Sequence, residues 1–153
     1  YEMLLLDKLQ IAVSNNFSLS MIDPCCGIGT IVLEALDLGI DVVGVEISKQ
    51  IAHNARNNIE FFGYNREIIT CGDMHNILSK YDVAIIDIPY GLFSPITVDE
   101  QISIIKTGRK IADKVILISF DDMDKHLIEA GFNIIDKSTL IKNSFTRYIT
   151  ICQ

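Results

Sequence analysis

The chain has 153 residues, of which 49% are hydrophobic and 22% are charged, and its formal net charge is −7 at pH 7. This composition predicts a single globular domain over residues 1–153 and excludes a disordered or fibrous chain. Such an acidic domain is a poor nucleic-acid binder by itself, because attraction to phosphate supplies most non-specific affinity. No apolar stretch reaches the roughly 20 residues of a bilayer span, and the N-terminus does not resemble a signal peptide, so we expect a cytoplasmic protein without membrane contact.

Apolar periodicity predicts that strands and helices alternate along the chain. A leading helix is predicted at 3–13, and later helices are predicted at 31–38, 51–62, 74–79, 97–112 and 122–132. Predicted strands lie at 19–23, 41–47, 66–70, 81–88 and 114–120, with a closing antiparallel pair at 133–142 and 145–152. This pattern predicts an α/β fold: a mostly parallel, seven-stranded sheet with a C-terminal antiparallel hairpin and helices on both faces. Ligands bind such sheets beyond the carboxyl ends of the strands, so residues just after strands are the informative ones.

The segment DPCCGIGT, residues 23–30, follows the first predicted strand. Gly27 and Gly29 lack the Cβ that would keep a ligand away from the backbone, and the next helix offers unpaired N–H groups. Val32 stands where a dinucleotide site requires a third glycine, which disfavours a bound pyrophosphate. Asp23 would repel a polyphosphate and attract an ammonium or sulfonium centre. The alternative is a tight strand-to-helix turn without a ligand.

Acidic residues also follow the next two predicted strands. Glu46 ends the second strand, 23 residues after Asp23, about where an acid binds ribose hydroxyls in Rossmann-like folds. Asp73 could accept a hydrogen bond from an exocyclic amine, and Met74 offers an apolar surface for a flat ring. Each acid also has a simpler interpretation: Glu46 as a surface acid or a cap partner near Ser48, and Asp73 as the N-cap of the short helix.

These acids predict a pocket for a positively charged nucleoside, and S-adenosylmethionine fits that description. Its ribose is expected on Glu46, its adenine near Asp73 and Met74, and its amino-acid end near Asp23 and the glycine turn. The predicted cofactor contacts are Asp23, Cys25, Gly27, Gly29, Thr30, Glu46, Ile47, Asp73, Met74 and Asp87. No metal site is predicted, because the four cysteines lack the paired spacing of zinc ligands.

Two segments together resemble the RNA methylase family of class I S-adenosylmethionine-dependent methyltransferases, which includes tRNA guanine-N2 methyltransferases with an N-terminal THUMP domain. Members typically show Asp-Pro-x-Cys-Gly-x-Gly-Thr before a helix and, later, Asp-Pro-Pro-Tyr or Asp-Leu-Pro-Tyr-Gly. Residues 23–30 match the first motif, and DIPYG at residues 87–91 matches the second, with Ile88 in the variable place. The resemblance covers roughly residues 3–152 and implies a Rossmann-like catalytic domain. Because the chain starts at Tyr1 and shows no THUMP-like segment, we expect a fragment that lacks an N-terminal RNA-binding part.

The DIPYG segment carries the residue types that methylation of a base amine requires. Such an amine is a weak nucleophile, because its lone pair is delocalised into the ring. If the Asp87 carboxylate and the Ile88 carbonyl accept its two N–H bonds, they favour the pyramidal nitrogen of the transition state. Pro89 fixes φ and so directs that carbonyl, and Tyr90 can stack on a flipped base. We therefore expect Asp87, Pro89 and Tyr90 to be catalytic; the alternative is a strand end that turns through a proline with a packed tyrosine.

The sequence thus predicts an S-adenosylmethionine-dependent RNA methyltransferase, and resemblance alone favours N2 of guanine in tRNA as the acceptor. The alternatives are N6 of adenine in RNA or DNA, a protein glutamine amide, and a non-catalytic cofactor-binding module that supports a partner subunit. RNA affinity is expected to need an N-terminal part or a partner, because the chain shows no large basic patch. Lys137, Lys142 and Arg147 give the hairpin a net positive charge, which could mark an RNA edge; we favour a solvated face.

Overall fold

The computed structural model describes residues 19–89, 96–142 and 145–153. Three predicted features lie outside the described residues. They are the leading helix at 3–13, the end of the DIPYG segment from Tyr90 onward, and the turn at 143–144.

Seven strands of the described residues form one sheet. They are β1 (Ser20–Asp23), β2 (Asp41–Glu46), β3 (Ile69–Cys71), β4 (Tyr81–Asp87), β5 (Ala112–Ser119), β6 (Ile134–Lys142) and β7 (Phe145–Cys152). Their order across the sheet is β3-β2-β1-β4-β5-β7-β6. The first five strands pair in parallel, and β7 lies antiparallel between β5 and β6. The predicted fold class is confirmed, and the order reverses at β1, where ligands bind in sheets of this kind.

Four α-helices are seen in the described ranges. They are α1 (Thr30–Asp37), α2 (Lys49–Phe61), α3 (Val98–Ile111) and α4 (Asp124–Glu129). Local caps define two of their starts: Ser48 Oγ accepts the Ile51 N–H, and Thr97 and Glu100 form a reciprocal capping box. None of the helices in these ranges is long and apolar enough to span a bilayer.

The third strand differs from its predicted position. The predicted strand at 66–70 begins instead as a 3₁₀ helix at Arg66–Ile68, and β3 follows it. The side chain of Asn65 accepts the Glu67 N–H at 3.0 Å, which stabilises this turn over an extended chain. The helix predicted at 74–79 is likewise reduced to a 3₁₀ helix at Met74–Asn76.

An apolar cluster lies on each face of the sheet. One cluster contains Met21, Val42 and Ile85, and helices α1 and α2 cover it. The other contains Ile22 and Ile86, and helices α3 and α4 cover it. Because β4 contributes buried side chains to both clusters, its continuous apolar run is explained by burial on two faces. Helices therefore cover both faces of the sheet, as predicted.

The acids that end β1, β2 and β4 all belong to the face covered by α1 and α2. Side chains two residues apart in a strand project from the same face. Asp23 lies two residues after Met21, and Asp87 lies two residues after Ile85. Glu46 lies four residues after Val42, so it has the same orientation. The fold therefore brings the three acids to one face at the carboxyl edge of the sheet.

Gly44→Ala is expected to lower the free energy of unfolding by about 1–3 kcal/mol, because the site has no room for a side chain. A Cβ at Gly44 would lie 2.7 Å from Ile69 Cδ1, 3.0 Å from Cys26 Sγ and 3.1 Å from Cys26 Cβ. Urea unfolding measures the loss. The matched control is Gly72→Ala, whose Cβ would meet only Val45 Cγ1 at 3.9 Å. Equal midpoints for the two variants would show that Gly44 is not required for this packing.

Candidate active site

The glycine turn between β1 and α1 is held by backbone and side-chain hydrogen bonds. Gly27 and Gly29 have φ values of 54° and 88°, which side chains other than glycine rarely adopt. The Cys26 N–H donates to Val45 O at 2.9 Å, and Asn58 Nδ2 donates to Ile28 O at 2.9 Å. The turn is therefore fixed to β2 on one side and to α2 on the other, before any ligand is present.

Asp23 is buried at the bottom of this turn, with 1% of its surface exposed. Its Oδ1 accepts the Cys25 N–H at 3.2 Å. Burial raises the pKa of Asp23 to about 8, and the negative charges of Asp87 and Glu46 add to that rise. Without a cation opposite it, Asp23 is therefore mostly protonated at pH 7. A bound ammonium or sulfonium group would favour its ionised form.

Glu46 is also buried, with 8% of its surface exposed. Its Oε2 accepts the Gly27 N–H at 3.0 Å, and its Oε1 accepts the Ser48 N–H at 2.8 Å. The bond to Ser48 matches the simpler interpretation of Glu46 as a cap partner, but its burial excludes a surface acid. Because each carboxylate oxygen has two acceptor positions, Glu46 can still accept two hydroxyl groups.

Asp73 and Met74 follow β3 as predicted, and both already have structural contacts. Asp73 Oδ1 accepts the His75 N–H at 2.9 Å, so Asp73 does cap a short helix. Met74 is buried, and its Sδ lies 3.6 Å from Cys25 Sγ. Little of the Met74 surface is therefore open to a flat ring. Ile47, which directly follows β2, is 71% exposed and offers a larger apolar surface beside Glu46.

The four post-strand acids lie close enough together to act on one side chain, Cys25. Burial raises the pKa of the Cys25 thiol, and the charges of Asp23, Glu46, Asp87 and Asp73 raise it further. These acids follow four strands that are neighbours in the sheet, β3, β2, β1 and β4. The thiol is accordingly neutral at physiological pH and is not a nucleophile. The remaining predicted contact of the turn, Thr30, is exposed at the start of α1.

The end of β4 is anchored to its neighbouring strand. The Ile88 N–H donates to Ile118 O at 2.9 Å, so the backbone is fixed directly before Pro89, which is exposed. The Asp87 carboxylate is 26% exposed and forms an ion pair with Arg147, whose Nη1 lies 3.1 Å from both Oδ1 and Oδ2. The predicted catalytic residue Tyr90 lies outside the described part of the chain.

The prediction that the hairpin cations form a solvated face is wrong for two of the three residues. Arg147 pairs with Asp87, and Lys137 Nζ lies 2.9 Å from Asp122 Oδ1 and 2.7 Å from Asp124 Oδ2. Strand alternation does not reveal this pairing: Arg147 shares a face of β7 with the buried Ile149 and Ile151, but Thr150 and Cys152 on the opposite face are buried as well. A partly buried cation is usually paired with an acid.

No family model matches the chain, but similar solved structures show what its fold is. Magnesium protoporphyrin IX methyltransferase of Synechocystis PCC 6803, solved with bound S-adenosylmethionine, has a TM-score of 0.80 and 18% identity, covering 99% of this chain and 79% of that chain. A candidate RNA methyltransferase of Pyrococcus horikoshii has a TM-score of 0.75 and 20% identity, covering 97% of this chain and 80% of that chain. The chain therefore has the fold of the class I methyltransferases.

The curated sequences add a more specific resemblance. The chain is 27% identical over 134 residues to tRNA (guanine(10)-N2)-dimethyltransferase of Methanothermobacter thermautotrophicus. This match covers 82% of the chain but 37% of that protein, so the chain spans little more than a third of the relative's length. The resemblance inferred from the two sequence motifs, to class I methyltransferases of the tRNA guanine-N2 type, is confirmed.

Proposed function

We propose that the chain is an S-adenosylmethionine-dependent methyltransferase that acts on an exocyclic base nitrogen of RNA, and that its acceptor is N2 of guanine in tRNA. The observation that carries this proposal is that Asp23, Glu46 and Asp87 share one face at the carboxyl edge of the sheet. The charges of all three also act on the Cys25 thiol. Asp87 is the first residue of the DIPYG segment. A nucleoside site and an amine-accepting acid thus lie at the same edge of the sheet.

The residues of the glycine turn and β2 fit a cationic nucleoside. Asp23 is a buried acid that remains protonated until a positive group faces it. Glu46 is held by two backbone N–H groups in an orientation that leaves acceptor positions for two ribose hydroxyls. Gly27 is partly exposed and carries no side chain, so its backbone is open to a ligand, whereas Gly29 is buried and its missing side chain makes room for Ala55 and Ile59 of α2. Ile47 offers an exposed apolar surface for the adenine ring.

S-adenosylmethionine, when bound, supplies a methyl group on a positively charged sulfur. Asp87 and the Ile88 carbonyl would accept the two N–H bonds of the base amine, which localises the nitrogen lone pair toward that methyl group. Pro89 restricts the backbone that carries the carbonyl, and Tyr90 would stack on the flipped base. The product ammonium is acidic enough to lose its proton to water, so Asp87 need not be a strong base.

The choice of tRNA rests on the resemblance to the archaeal guanine-N2 enzyme. The net charge of −7 supports the further proposal that another domain or a partner supplies RNA affinity. Transfer of labelled methyl groups by the full-length protein to unmodified tRNA transcripts, followed by nucleoside mass spectrometry, tests the acceptor. N2-methylguanosine is the expected product. Formation of N6-methyladenosine would instead identify N6 of adenine as the acceptor, and labelled protein glutamine would identify a glutamine amide. No transfer to any RNA or protein pool would favour a non-catalytic module.

Glu46→Ala is expected to weaken S-adenosylmethionine binding by at least about 100-fold, because two hydrogen bonds to a charged acceptor contribute about 3 kcal/mol or more together. Isothermal titration calorimetry measures the change. Glu60→Ala is the control: it removes an equally charged side chain from the exposed surface of α2 and should leave affinity unchanged. Wild-type affinity in the Glu46 variant would remove Glu46 from the proposed cofactor site.

A further inference from the structure

Arg147 reaches Asp87 from a different part of the sheet. In the strand order, β5 separates β4 from β7, so the two residues lie on strands that are roughly 9–10 Å apart. Tyr148 pairs with Ser119, the last residue of β5, and Arg147 therefore lies just beyond the end of that strand. A long side chain can cross the end of β5 at this level and meet the Asp87 carboxylate.

The Arg147 guanidinium is held on two sides. Its Nη1 lies 3.1 Å from each oxygen of Asp87, and its central carbon lies 4.6 Å from the centre of the Phe120 ring. The guanidinium thus stacks on a ring that directly follows β5, which limits the orientations it can adopt. The side chain of Arg147 is 19% exposed, so water screens this ion pair less than it would screen a surface pair.

Asp87 lies among titratable groups from three parts of the fold. Asp87 faces Asp23 from β1, Cys25 from the glycine turn and Arg147 from β7. An ionised carboxylate is the stronger acceptor for an amine N–H, and ionisation of Asp23 on cofactor binding would disfavour a second negative charge beside it. Among the residues that the structure describes, Arg147 pairs with Asp87, and its positive charge opposes that effect.

We propose that Arg147 is a positioning residue that keeps Asp87 ionised and oriented toward the base amine. This inference rests on the proposed function, in which Asp87 accepts the amine N–H. Because one nitrogen, Nη1, contacts both carboxylate oxygens, a lysine ammonium can replace part of the interaction. Arg147→Lys is therefore expected to retain part of the stabilisation of ionised Asp87, whereas Arg147→Met, which removes the positive charge, is expected to lose it.

Carboxyl carbon NMR of ¹³C-labelled protein tests the pairing without requiring activity. The Asp87 signal is assigned from its loss in Asp87→Asn. In Arg147→Met its titration midpoint is expected at least about one pH unit higher than in the wild type, with Arg147→Lys between them. Arg147→Gln replaces the Met variant if that variant does not fold. Lys137→Met is the control, because Lys137 is similarly buried in the same hairpin but pairs with Asp122 and Asp124. An unchanged Asp87 midpoint in Arg147→Met would overturn the proposal.

Methyl transfer to tRNA provides the second readout. Arg147→Met is expected to reduce kcat at least tenfold while the Kd for S-adenosylmethionine stays the same, and Arg147→Lys is expected to recover part of kcat. A purely structural ion pair would instead affect both variants alike and would weaken cofactor binding as well. If the full-length protein, with any partner that supplies RNA affinity, transfers no methyl group, the proposed function fails, and the NMR titration still decides whether Arg147 controls Asp87.

Discussion

Asp87→Ala is expected to reduce methyl transfer to RNA by about 10²- to 10⁴-fold, with little change in the affinity for S-adenosylmethionine. Asp87 ends β4 and is one of the proposed cofactor contacts, but the others lie in the glycine turn and at the ends of β2 and β3. Its removal therefore takes away the amine acceptor and leaves most of the nucleoside site intact. Single-turnover transfer of labelled methyl groups measures the first effect, and calorimetry measures the second.

Two further variants sharpen this prediction. Asp87→Asn keeps one carbonyl oxygen that can accept an N–H bond, so it should be less impaired than Asp87→Ala. Asp113→Ala removes an exposed acid from β5, where it pairs with Lys80, and should transfer methyl groups at the wild-type rate. Wild-type transfer by Asp87→Ala would show that Asp87 does not accept the amine.

Asp23→Asn is expected to stabilise the ligand-free protein and to remove most of its affinity for S-adenosylmethionine. The wild-type carboxyl has a folded pKa of about 8, against 3.8 for an ordinary aspartate, so the folded state holds a proton that the unfolded state releases. The stability that this proton provides is complete below about pH 4 and is lost as pH rises toward 8. Asparagine keeps the Cys25 hydrogen-bond acceptor but has no proton to lose, so its advantage grows across this window.

Urea unfolding at two pH values measures this effect. The Asn variant should exceed the wild type by about 1 kcal/mol at pH 5 and by a few kcal/mol at pH 8. Asp82→Asn is expected to be less stable than the wild type, because hydrogen bonds from the Ser20 backbone and side chain lower the pKa of Asp82. Its wild-type stabilisation is present above the ordinary aspartate pKa and lost as pH falls. An Asp23→Asn variant that is destabilised equally at both pH values would contradict the neutral, buried carboxyl.

The same protonation should couple cofactor binding to pH. If the ammonium end of the cofactor ionises Asp23, wild-type binding releases a proton below pH 8, and affinity rises with pH up to that value. Under the proposed function, Asp23 is therefore expected to cost stability in the free protein and to contribute affinity in the complex.

Much of the fold and of the candidate site follows from local sequence patterns. The apolar runs before Asp23, Glu46 and Asp87 predict parallel strands, and strands of this kind end at one edge. The glycines at 27 and 29 predict the turn, and the structure gives both of them positive φ. The acids could therefore be placed near one another before any contact was known.

Other features depend on side-chain contacts that short patterns do not encode. The 3₁₀ helix before β3 depends on a hydrogen bond from the Glu67 N–H to the Asn65 side chain. The apolar pattern that predicts a strand takes no account of such a bond. The pairing of Arg147 with Asp87 depends on how β7 is aligned against β5. This alignment cannot be predicted from the sequence around either residue, because the two lie 60 positions apart. Met74 likewise contacts Cys25, which follows a different strand. The burial of Met74 therefore could not be predicted from its neighbours in the sequence.

The most direct test of the account is a crystal structure of the protein with S-adenosylhomocysteine. We expect the ribose hydroxyls to lie within hydrogen-bond distance of the Glu46 carboxylate. We also expect the amino-acid end to lie beside Asp23 and the glycine turn, with the sulfur facing Asp87. A nucleoside bound elsewhere on the protein, or a complex in which Glu46 and Asp23 make no contact with it, would contradict the account.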